Sequence, residues 1–109
     1  MSHVKNKALL EALNNCIEEC NHCITACLEE QDVTMLANCI KLDIDCAAIC
    51  TITASFFARN SSHANHLLSE CAEICNACAD ECEKHAESGM EHCKICADAC
   101  RKCADACVL

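Results

Sequence analysis

The sequence predicts an all-α protein, an up-down-up-down four-helix bundle whose interior is lined by cysteine. Three observations carry this. First, 109 residues contain no proline, one glycine, no tryptophan or tyrosine, and only Phe56 and Phe57 as aromatics. Alanine, leucine, glutamate and lysine fill the intervals between cysteines, and these are helix formers. Second, the sixteen cysteines recur at steps of three and four, which return a side chain to one helix face at about 100° per residue. Third, the breaks between the cysteine-bearing segments are short, as between antiparallel neighbours. The turn residues and β-branched runs that a sheet would need are absent. At this length the chain, residues 1–109, is one domain.

The first helix is expected near 6–30. It opens with "ALLEAL" and continues as "CIEECNHCITAC", placing Cys16, Cys20, Cys23 and Cys27 at steps of four, three and four. The second, near 33–59, has Asp32 as its N-cap candidate and carries Cys39, Cys46 and Cys50 at steps of seven and four. One expected thiol position there is filled by Leu42 or Asp43 instead. The third, near 62–87, has Asn60, Ser61 and Ser62 as capping candidates. Its "CAEICNACADEC" repeats the first pattern with Cys71, Cys75, Cys78 and Cys82. The fourth, near 89–107, follows the only glycine, and Ser88 with Glu91 has capping-box spacing. Its "HCKICADACRKCADAC" holds Cys93, Cys96, Cys100, Cys103 and Cys107. The thiols fall within an arc of about 60° on each of the first three helices and about 80° on the fourth. Similar segments repeated four times bring four thiol stripes to one axis.

The formal net charge of −9 argues against a nucleic-acid partner, which would call for a basic patch. No apolar leader core and no membrane-length apolar span is present, so a cytoplasmic protein is expected. In a reducing compartment dense cysteine reads as metal binding before disulfides, and the regular helical spacing is unlike a loop-rich disulfide scaffold. Packing alone explains one or two core cysteines but not sixteen, because small side chains fill a bundle poorly.

Thiolate is a soft ligand suited to copper(I), zinc, cadmium and iron–sulfur clusters. Zinc favours isolated tetrahedra, often on paired C-x-x-C knuckles in loops. Iron–sulfur clusters commonly sit in flexible loops, and this chain has little glycine and no proline. Copper(I) takes two or three thiolates and shares them with neighbouring ions, which suits a continuous tube of thiols. The chemistry favours copper(I), with a zinc or other soft-metal thiolate buffer as the alternative.

These same three segments, "CIEECNHCITAC", "CAEICNACADEC" and "HCKICADACRKCADAC", resemble the cysteine-rich four-helix-bundle copper storage proteins. The likeness runs from about Leu9 to Cys107. It implies many copper(I) ions bound inside the bundle by inward cysteines, a homotetramer, and histidines or methionines near an open end.

The expected topology gives the ends different character. At one, Leu9, Leu13, Phe57, Leu67, Leu68, Val108 and Leu109 continue the stripe as an apolar plug. At the other stand Met35, His85, Met90 and His92. His85, near the stripe, is the favoured additional metal ligand; Met35, Met90 and His92 are entry-site candidates, weaker ligands than thiolate. His3, His22, His63 and His66 receive no role. No thiol is set apart beside a base, so no enzyme activity is expected. The second helix also presents Ile44, Ala48, Ile52 and Ser55 opposite its cysteines, bordered by Ala37 and Thr51. A helix apolar on both sides is normally buried on both sides, so a homo-oligomer assembled through it is expected.

Overall fold

The computed structural model describes residues 3–108, with side chains from residue 7 onward. Leu109 and the side chain of His3 lie outside the described residues. Four α-helices account for almost all of them: α1 His3–Leu28, α2 Ala37–Ala58, α3 Ala64–Glu87 and α4 Glu91–Cys107. A short 3₁₀ turn, Val33–Leu36, leads into α2. Each helix packs on two neighbours, closing the ring α1–α2–α3–α4. The rod measures 45 × 18 × 17 Å.

The thiols themselves report the antiparallel register. Across α2 and α3, Cys39 meets Cys82, Cys46 meets Cys75 and Cys50 meets Cys71. Across α1 and α4, Cys27 lies beside His92, and Cys16 beside Cys100. Partner numbers fall on one helix as they rise on the other, as the short connections require.

Helix ends depart from the expected caps. Asn60 takes a left-handed φ of 55° and closes α2: its N–H bonds to Phe57 O and that of Ser61 to Phe56 O. That is a Schellman end with asparagine in the glycine position. Gly89, with φ 99°, does the same for α3, through Gly89 N–H to Ala86 O and Met90 N–H to His85 O. Ser88 and Glu91 therefore form no capping box; Ser88 ends α3 and Met90 precedes α4 without a side-chain cap bond. Asp32 starts the 3₁₀ turn rather than α2, also without a side-chain cap bond.

The 3₁₀ turn moves two side chains. Read as α-helix, residue 35 would lie near the thiol stripe; in a turn of about three residues, Leu36 takes the inward position and is fully buried. Met35 is 64 % exposed. The plug forms at the far end from Leu9, Leu13, Phe57, Ala64 and Leu68, all buried, with Leu67 half-buried. Val108 is 72 % exposed and is not part of it.

Candidate metal centre

All sixteen cysteines are buried as free thiols, and Cys107, at 5 %, is the only one with any exposed surface. The stripes converge because each helix turns the same face to the axis, so sulfur replaces the usual leucine core. Neighbouring sulfurs stand 3.5–4.0 Å apart, from Cys39–Cys82 to Cys16–Cys20. With a metal–thiolate bond of about 2.3 Å, the edge of a three-coordinate thiolate site is about 4.0 Å. The tube is thus already near the spacing a trigonal soft ion requires.

Three levels form quartets whose sulfurs all lie within 4.8 Å of one another. Cys23, Cys27, Cys39 and Cys93 occupy the level at the 3₁₀ end. Cys16, Cys20, Cys46 and Cys100 hold the centre, and Cys50, Cys71, Cys75 and Cys103 the level toward the plug. Further quartets straddle these levels, Cys20–Cys78–Cys96–Cys100 and Cys16–Cys46–Cys50–Cys75. Members are therefore shared, and a thiolate can bridge successive ions. Cys107 adjoins Cys71 and Cys103 at the end of the series.

The histidines separate. His92 turns Nδ1 into the first quartet, 3.6 Å from Cys93, 3.8 Å from Cys23 and 3.9 Å from Cys27. Its Nε2 is buried without a hydrogen bond and lies 3.9 Å from Glu30 Oε2. His85 instead engages Glu81 through Nε2 at 2.9 Å. Burial opposes ionisation of Glu81, but hydrogen bonds from His85, Asn38 and Lys84 outweigh it and lower its pKa. Of the two, the geometry puts His92 among the thiols. Met90 packs half-buried against the core, and Met35 does not.

Asp43, not Leu42, fills the missing thiol position of α2, and it is fully buried. Its Oδ1 accepts from the thiols of Cys78 at 3.1 Å, Cys96 at 3.3 Å and Cys82 at 3.7 Å. Its Oδ2 faces Cys39 at 4.0 Å. Position 43 completes the same four, three, four steps as on α1 and α3 and lies nearer the stripe than position 42, and the packing of α3 and α4 surrounds it with thiols. Burial first, then charge on Cys96, pushes its carboxyl up to about 8. Burial also pushes Cys27 up to about 11, so that thiol holds its proton at neutral pH until a metal displaces it.

A pH effect follows, with a definite sign. Between pH 5 and 7 Asp43 is ionised in the unfolded chain, at its ordinary value of 3.8, and protonated in the fold. Folding then takes up a proton, so stability falls as pH rises, by about 1.4 kcal/mol per pH unit for one proton. Denaturant unfolding of the metal-free protein should show this slope in excess of that of Asp43→Asn. Equal slopes would mean that the carboxylate is ionised in the folded state.

Comparison with known proteins bears on the cargo. The family described as "Copper storage protein" matches residues 2–109. The Bacillus subtilis (strain 168) cysteine-rich protein YhjQ is 41 % identical over 70 residues, 64 % of this chain and 65 % of that protein. The alignment thus spans just under two thirds of that relative. The Cu(I)-bound copper storage protein BsCsp3 superposes with a TM-score of 0.88 at 41 % identity, covering 94 % of each chain. A cytosolic copper storage protein from Streptomyces lividans, carrying five coppers, superposes with a TM-score of 0.89 at 40 % identity. That match covers 97 % of this chain and 93 % of the other.

Proposed function

Because the chain belongs to the copper storage protein family, we propose that its thiol tube is the store, taking up many copper(I) ions in series. The observation that carries this is the sharing of cysteines between successive quartets. Isolated tetrahedral sites need no shared ligand, whereas copper(I) bound by two or three bridging thiolates does. The ligands are Cys16, Cys20, Cys23, Cys27, Cys39, Cys46, Cys50, Cys71, Cys75, Cys78, Cys82, Cys93, Cys96, Cys100, Cys103 and Cys107. Each monovalent ion displaces about one thiol proton, so filling builds little net charge in the core.

Loading begins at the 3₁₀ end, where His92 offers a nitrogen beside three sulfurs and Met90 closes the rim. The plug of Leu9, Leu13, Phe57 and Leu68 shuts the other end. His85 serves the rim through Glu81 rather than as a ligand within the tube. The task is storage, not catalysis, since no thiol is set apart as a nucleophile. The protein works in the cytosol, as its Streptomyces lividans relative is described to do. Copies associate through the outer face of α2, where Ile44 and Ile52 are 51 % and 47 % exposed. No helix is long and apolar enough to cross a membrane among the described residues.

Anaerobic titration of the reduced protein with copper(I) tests the reading. Sixteen thiols hold at most four unshared four-coordinate ions, and well over four copper ions per chain are expected. Saturation at four or fewer, with equal avidity for zinc, would overturn it.

A further inference from the structure

The tube is not chemically uniform. At one level, about one turn in from the His92 mouth, its donors are three sulfurs and one oxygen. Asp43 reaches the axis from α2, Cys78 and Cys82 from α3, and Cys96 from α4. The three sulfurs neighbour one another, and Asp43 Oδ1 stands 3.1, 3.7 and 3.3 Å from Cys78, Cys82 and Cys96. A tetrahedral ion with metal–sulfur bonds of about 2.3 Å and a metal–oxygen bond of about 2.0 Å has sulfur–oxygen edges of about 3.5 Å. The three observed sulfur–oxygen distances, 3.1, 3.3 and 3.7 Å, bracket that edge.

Copper(I) gains little from a carboxylate, a hard donor, and does not need a fourth ligand. Zinc-class divalent ions bind carboxylate and thiolate together and fill four positions. We propose that Asp43, Cys78, Cys82 and Cys96 form a distinct site for one thiophilic divalent cation, zinc or cadmium, inside the copper tube. A buried carboxyl is retained in protein cores when a cation or a full set of hydrogen bonds compensates it. Here its hydrogen-bond partners are thiols alone, which are weak donors. A dication supplies the missing compensation, and at neutral pH the three thiol protons and the carboxyl proton leave to the buffer as it binds. The all-sulfur quartets elsewhere offer no oxygen, so the first divalent equivalent carries a signature that distinguishes this level from the rest of the tube.

Cobalt(II) is the probe. Added anaerobically to the reduced, metal-free protein, its first equivalent should give the visible bands of a tetrahedral ion with three sulfurs and one oxygen. Asp43→Asn should weaken that first equivalent by tenfold or more. Asp43→Cys should keep it bound but raise the thiolate charge-transfer intensity to that of four sulfurs. Helical circular dichroism confirms that each variant is folded, and cadmium NMR of the unaltered protein reads the same donor set without any substitution. A first equivalent with a four-sulfur spectrum in the wild-type chain, or identical spectra in wild type and Asp43→Asn, would overturn the proposal. Copper(I) capacity measured on the same wild-type preparation is a separate readout, so failure of the divalent site and failure of the copper reading are distinguishable.

Discussion

Replacing His92 with alanine is expected to slow the first phase of copper(I) loading by about tenfold or more, the scale on which single contacts that orient a metal site act. Final capacity should change little. The imidazole Nδ1 is within 3.9 Å of three sulfurs contributed by two helices, so an arriving ion meets nitrogen and thiol together. Without it, that ion must first displace protons from buried thiols, of which Cys27 is held up at about 11. His85→Ala should have the smaller effect, because its Nε2 is committed to Glu81. Stopped-flow mixing with a copper(I) chelate as donor separates the two. A larger slowing in His85→Ala than in His92→Ala would move the entrance, and faster loading after Phe57→Ala would place it at the plug.

The second large effect is on assembly. An Ile44→Glu, Ile52→Glu variant should sediment as a smaller species while binding the same number of copper ions. The face that carries these residues is more apolar than its sequence suggests. Thr51 Oγ1 donates to Ala47 O at 2.8 Å and Ser55 Oγ to Thr51 O at 3.1 Å, so both hydroxyls are satisfied within the helix. Burying one isoleucine is worth about 1.5–3 kcal/mol, and a glutamate in its place adds the cost of an unpaired charge at an interface. A symmetric contact counts each substitution twice. An unchanged mass would show that copies do not meet through α2. A loss of copper capacity would show instead that the substitutions disturb the bundle.

The helices and their inner faces follow from local residue spacing alone. Steps of three and four recur because the α-helix has 3.6 residues per turn, a local constraint that no packing partner alters. Four such stripes in a chain with short breaks have one compact way to meet, and every cysteine assigned to the interior is there. Choices between near-equivalent local geometries were left to the tertiary structure. Asn60 and Ser88 both suit caps at helix starts, yet both stand at helix ends, because the chain reverses there and the last carbonyls need donors. Met35 and Leu36 exchange places because the turn before α2 is 3₁₀. His85 lies nearer the stripe in angle, but α1 stands beside His92 and brings Cys23 and Cys27 across to it, while Glu81, one turn back on its own helix, holds His85. Asp43 lies nearer the stripe than Leu42 and completes the four, three, four steps of α1 and α3, but spacing alone does not say how a carboxyl is accommodated there. The charged one is inside because thiols of α3 and α4 converge on that level and donate to it, a circumstance that exists only once three helices are in place.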